Sequence, residues 1–177
     1  MNRHLMIAAA AAALTGLSAP ASATLPTPSA AAATQDSQAF LFHAGAGDIF
    51  EVMTSMVIVQ KSQNPQLRDF AAMLISDHTM MSNTALATAA GAGVMAPPPE
   101  LSADQKAMYG RLLTASPASL DRLYLQQQVP AHQKALAMIQ GYSQTGATPA
   151  LRQMAAAAAP KVQAHLAQAQ QMLASAR

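Results

Sequence analysis

The chain contains no cysteine and no tryptophan, and only three tyrosines and four phenylalanines among its 177 residues. Without cysteine there is no disulfide framework, no thiolate metal site, no cysteine nucleophile and no lipidated anchor. The shortage of aromatic residues argues against a β-sandwich or barrel, whose strands draw on Val, Ile, Thr and aromatics. Charge is also sparse, with ten Lys and Arg against eight Asp and Glu for a formal net charge of +2. No cluster of basic residues is interleaved with aromatics, which argues against nucleic-acid binding. There is no P-loop, no G-x-G-x-x-G, no G-x-S-x-G and no H-E-x-x-H.

What remains is helical material. Hydrophobic residues make up 51% of the chain, chiefly Ala, Leu and Met, which together with Gln are strong helix formers. The length suits one all-α domain. Residues 1–23 carry the three parts of a secretory signal: basic Arg3 and His4, an apolar run over 5–17, and the A-x-A site Ala21-Ser22-Ala23. About 13 apolar residues are too few to anchor the chain across a bilayer. The expectation is cleavage after Ala23 and a periplasmic mature chain without a membrane span. Its charge is near +1, since Arg3 leaves with the leader.

Residues 24–35, rich in Pro, Ala, Thr and Ser, read as a disordered linker. Four long helices and one short one follow over 36–175. The first spans 37–62 with Asp36 as its cap, and its Gly45 and Gly47 point to close approach or a local irregularity. The second spans 65–90, with Asn64 as cap and Pro65 at the first helical position; Gly91 and Gly93 stop it. Pro97-Pro98-Pro99 forms a stiff spacer before a short helix over 103–115 capped by Ser102. The last two span 117–144 and 149–175. Pro130 and Pro160 lie inside them and are expected to kink them, and Thr148 is expected to cap the last. Asn64-Pro65-Gln66-Leu67-Arg68 and Thr148-Pro149-Ala150-Leu151-Arg152 form a weak internal repeat at two helix starts.

Turn counting brings four polar residues to one level. Glu51 lies 14 residues before Pro65 and His78 lies 13 after it; His132 lies 17 before Pro149 and His165 lies 16 after it. At about 1.5 Å per residue all four sit roughly 20–25 Å from their turns, in helices about 39 Å long. His78 and His165 fall within apolar stripes and should face the core. His132 lies on a slightly more polar row, and Glu51 shares a row with Asp48. A divalent metal would satisfy this layer, with imidazole and carboxylate as ordinary ligands. Mutual hydrogen bonding between Glu51 and an imidazolium is the alternative. Asp77 suits either an orienting role beside His78 or the surface, and His43 is peripheral. Met73, Met80 and Met81 flank His78; they suit a soft-metal site or, more simply, irregular core filling.

Phe40-Leu41, Glu51-Val52, Asn64-Pro65-Gln66-Leu67-Arg68-Asp69-Phe70-Ala71-Ala72-Met73, Asp77-His78-Thr79, Leu120-Asp121, Tyr124-Leu125, Val129, His132, Ala135-Leu136, Pro149, Leu151, Pro160 and His165-Leu166 together resemble the bacterial DUF4142 family of domains of unknown function. The resemblance covers essentially the whole mature chain. It implies an exported, ferritin-like four-helix bundle of two antiparallel hairpins, joined by the Pro-rich linker and the short extra helix. It also places Glu51, His78, His132 and His165 at the family's polar positions. True di-iron bundles use Glu-x-x-His pairs, whereas Ile75, Val129 and Val162 occupy the matching positions here. A ferroxidase centre is therefore not expected; the candidates are a single Fe, Zn or Cu ion or no metal. Three functions stay open on sequence: a metal-binding bundle, a structural or partner-binding module of the envelope with the His layer as a polar core network, and an enzyme with an open metal position.

Overall fold

The computed structural model describes residues 27–176, so the leader over 1–23 lies outside the described residues. The described chain is all helical: α1 (Ser37–Lys61), α2 (Pro65–Gly91), α3 (Ala103–Thr114), α4 (Pro117–Thr145) and α5 (Pro149–Ser175), preceded by a 3-10 turn, Ala30–Thr34. Three predicted caps form. The carboxylate of Asp36 accepts from the Ala39 amide, and Asn64 Oδ1 accepts from the amides of Gln66 and Leu67. Ser102 closes a capping box with Gln105. Thr148 occupies the expected cap position but makes no capping bond. Its hydroxyl bonds Ser37 instead, tying α5 to the start of α1. Helices α4 and α5 continue through Pro130 and Pro160.

The sequence repeat has a geometric counterpart. Leu67 and Leu151 are both buried. Arg68 reaches back 2.8 Å to the carbonyl of Ser62, and Arg152 reaches back 2.6 Å to that of Gly146. Each arginine thus fastens the turn that opens its hairpin.

The ring order is α1, α2, α5, α4, with neighbours antiparallel. Tyr142 near the end of α4 bonds Ser37 at the start of α1, while Tyr124 near the start of α4 bonds Ser55 near the end of α1. One apolar cluster holds Leu74 and Ala169, and the other holds Ala89 and Leu151, so α2 and α5 also run oppositely. Helices α2 and α4 are therefore parallel and diagonal, and the connection between them must travel the length of the bundle. It does so along α1. Pro99 packs where a side chain on Gly45 would meet it at 3.0 Å. Gln105 donates to the Ala46 carbonyl, and Lys61 donates to that of Leu113. This is the long-crossover topology of ferritin-like bundles.

Two sequence expectations need correction. Residues 30–35 are not disordered. Ala33 is buried, Gln35 accepts from the Ala147 amide, and Thr34 sits against Gly141. A run of small apolar residues fits the groove that a glycine leaves on α4. Second, α1 does reach the length and mean hydropathy, 1.2, of a membrane-crossing helix. It is nonetheless one wall of the bundle, packed by α2, α3 and α4 and carrying Asp48 and Glu51.

Replacing Gly141 by Ala would place a Cβ 2.7 Å from Thr34 Cγ2 and 3.2 Å from its Cβ, so the turn must lift. Losing that docking costs about 1–2 kcal/mol, against a helix-propensity gain of about 1 kcal/mol in α4. Gly141→Ala is expected to speed proteinase K cleavage within 30–36 by roughly 5–30-fold while lowering the urea stability of the bundle by no more than about 1 kcal/mol. Unchanged cleavage would show that the turn is not held by this contact.

Candidate metal centre

The bundle core is two apolar clusters with a polar layer between them. One cluster gathers Val57, Ile58, Leu67, Phe70, Leu74, Leu120 and Tyr124; the other gathers Phe40, Leu136, Ile139, Tyr142, Leu151 and Val162. Between them lie Glu51, His78, His132 and His165, exposed by only 4%, 3%, 1% and 2%. Each comes from a different long helix, so the level derived from turn counting is the level observed.

The three imidazoles form a near-equilateral triangle with ring centroids 5.5, 5.5 and 5.6 Å apart. Each offers one nitrogen to a group of three that lie within 4.8 Å of one another. The opposite side of each ring is held from outside. His78 Nδ1–H donates to Asp48 Oδ1 at 2.8 Å, and Asp48 Oδ2 accepts from Ser82 at 2.6 Å. His165 Nε2–H donates to Asp77 Oδ2 at 2.9 Å, and Asp77 Oδ1 accepts from Lys161 at 2.7 Å. His132 Nδ1–H donates to the Gln128 carbonyl at 3.0 Å. These bonds fix the tautomer of each neutral ring. What they leave is His78 Nε2, His132 Nε2 and His165 Nδ1, all buried without a partner. In the neutral rings each is a lone pair, and a buried acceptor left unpaired costs on the order of 1–3 kcal/mol.

Glu51 is brought to the layer but stands outside the triangle. Its Oε1 is 3.7 Å from His132 Nδ1, the nitrogen already given to Gln128, and its Oε2 has no partner. Asp77 orients His165 on α5 rather than its sequence neighbour His78, because adjacent helix positions point about 100° apart. His78 is held by Asp48 across the α1–α2 interface. Neither pairing had a local sequence signal beyond Asp48 sharing a helix row with Glu51. His43 stays peripheral, donating to the Pro28 carbonyl at 2.9 Å. The three flanking methionines do not gather on His78: Met73 packs on the first cluster, Met81 on the second, and Met80 is exposed.

The electrostatics follow from burial. Desolvation pushes the Glu51 carboxyl up to about 7, against the nearby His78 charge. Burial, then the like charge of His78, push His132 down to about 3. Burial also lowers His165, opposed by its bond to Asp77. For His78 burial acts downward too, but the Asp48 hydrogen bond and the charges of Glu51, Asp48 and Asp77 outweigh it and leave the ring above its usual value. Burial would raise Asp77, yet its bonds to Lys161 and His165 bring it below the usual carboxylate range. Two of the three imidazoles are therefore neutral at physiological pH and ready to ligate.

The DUF4142 family profile, described as a domain of unknown function, matches residues 22–172, and the chain belongs to that family. A comparison with curated proteins finds no match. The fold is similar to that of a DUF305 fragment from Deinococcus radiodurans, with a TM-score of 0.69 at 15% identity over 78% of this chain and 95% of the other. It is similar as well to CopM in its Cu(II)-bound form, with a TM-score of 0.67 at 18% identity over 79% and 97%. At these identities the likeness concerns the fold.

Glu51 binds its proton more tightly folded than unfolded, so its contribution to stability falls as pH rises from 4.5 through about 7. Glu51→Gln removes this dependence. Relative to the variant, metal-free wild type is expected to lose roughly 3 kcal/mol between pH 4.5 and pH 8. Urea titrations of both proteins at the two pH values measure the difference. A constant difference would mean that Glu51 ionises as freely folded as unfolded.

Proposed function

We propose that this protein is an exported, periplasmic metal-binding bundle that holds one transition-metal ion with His78, His132 and His165. The observation that carries the reading is the convergence of three buried nitrogens, each without a partner and each set by a hydrogen bond on the far side of its ring. A cation satisfies all three lone pairs at once, which no fourth side chain among the described residues does. Carboxylates or backbone carbonyls behind the rings are the usual outer support of metal-bound imidazoles.

The donor set favours copper or zinc over iron. All three donors are imidazole, which suits Zn and Cu, and none of the three histidines has the Glu-x-x-His partner that a di-iron bundle uses. Tetrahedral zinc with nitrogens at 2.0–2.1 Å brings them about 3.3 Å apart, so the triangle must contract on binding from separations of up to 4.8 Å. A similarly folded protein, CopM, has a Cu(II)-bound form, which supports copper as a candidate. Export rests on the leader at 1–23, whose basic, apolar and A-x-A parts support it.

Untagged protein spanning residues 24–177, titrated with Cu(II) or Zn(II) against a competing chelator, is expected to bind one equivalent tightly. His78→Ala and His165→Ala should abolish that binding. Asp77→Asn, which leaves the ligands in place, should weaken it by about 10–100-fold. Glu51→Gln should keep the stoichiometry, because Glu51 stands behind His132 and not among the ligands. Metal retained in both His variants would make the triangle a polar core network and favour a structural or partner-binding role.

A further inference from the structure

The half of the bundle beyond the His layer, toward the start of α1, is only partly filled by its apolar cluster. A pocket of about 970 Å³, partly open to solvent, lies there, reached by Glu51, His78 and His132 from the layer and lined by all four long helices and by α3. Its origin is legible in the residues. On α1 the inward row runs Phe40, Ala44, Gly47, Glu51, and a Cβ built on Gly47 would meet nothing within 4 Å. Ala85, Ala135, Ala155 and Ala158 line it from α2, α4 and α5. Small residues on four helices, between about one and three turns from the layer, open this space beside His78 and His132.

We propose that this chamber binds a neutral, largely apolar small molecule whose single donor–acceptor head, of azole or hydroxyl type, meets the His layer. The walls set the apolar body. The volume lies within the range of pockets that enclose small organic ligands. The floor sets the head. Glu51, His78 and His132 line it, as does Gln127 at its side, and each carries a buried polar atom without a partner. In the metal-free protein these receive an N–H or O–H. With an ion on the three imidazoles, the lone pair of the same head fills the remaining coordination position, as catalytic and ligand-exchanging zinc sites allow. The chamber reading therefore stands with or without the metal.

The probe is 4-phenylimidazole, with imidazole as the comparison lacking the apolar body, titrated calorimetrically into metal-stripped protein near pH 8, where both are neutral. The phenyl compound is expected to bind at least 10-fold more tightly. Gly47→Leu fills the void beside Glu51 without touching a ligand, and Ala85→Leu fills it from the facing helix. Each should weaken 4-phenylimidazole at least 10-fold while leaving Co(II) uptake unchanged. In Co(II)-loaded wild type the probe should shift the visible absorption bands of the metal. Equal affinity for the two azoles, or binding that survives both filling variants, overturns the proposal. If Co(II) is not taken up but the metal-free titrations behave as expected, the metal reading fails and the chamber stands.

Discussion

The structure depends on burying three imidazoles at one height of a four-helix bundle. An imidazole removed from water needs a partner at each nitrogen, or the fold loses about as much as one core residue contributes. This chain provides half of those partners from outside: Asp48 on α1 holds the ring from α2, Asp77 on α2 holds the ring from α5, and the Gln128 carbonyl holds the ring on α4. The pattern is a relay, each carboxylate reaching one helix onward, so the polar layer also ties adjacent helices together. The inner nitrogens are what remain, and their number and convergence carry the proposal that the layer is a ligand set rather than a hydrogen-bonded network complete in itself.

The same layer divides the core into two unequal halves. Beyond Glu51 toward the α1–α2 turn, large side chains interlock. Tyr124 and Ser55 close that region with a buried hydrogen bond. On the other side alanines and Gly47 leave a chamber, and stability there comes from its far end, where Phe40 stacks on Tyr142 with ring centroids 4.0 Å apart and the Tyr142 hydroxyl meets Ser37. The 3-10 turn caps that end by resting on Gly141. A bundle built in this way is firm at both ends and open in the middle. The open part lies against the imidazoles, where a bound molecule would reach them without disturbing the packed end.

Much of this was legible in the sequence. Asp36, Asn64, Pro65, Ser102 and Pro149 mark helix starts by local chemistry that tertiary contacts seldom override, and the helices begin there. Counting from Pro65 and Pro149 placed Glu51, His78, His132 and His165 at one level because antiparallel helices of equal rise keep register from a shared turn. What escaped was lateral. Whether Asp77 holds His78 or His165 depends on which helix lies beside α2, and no periodicity within α2 records it. Glu51 was grouped with the ligands because turn counting gives height and not rotation, and α1 is apolar on most faces. Thr148 was read as a cap from its position, yet its hydroxyl found Ser37, 111 residues away. The run over 30–35 was read as a linker because its composition carries no period, but small side chains suit a groove that only a glycine on another helix creates.

The most direct test is crystallographic: diffraction from protein crystallised with one equivalent of Cu(II) or Zn(II), with data collected on both sides of the metal's absorption edge. The account predicts one strong anomalous peak inside the bundle, about 2.0–2.1 Å from one nitrogen each of His78, His132 and His165, with Asp48 and Asp77 still bonded behind their rings. Protein that carries its metal only on surface carboxylates or on the peripheral His43, with the triangle as wide as it is here, would contradict it.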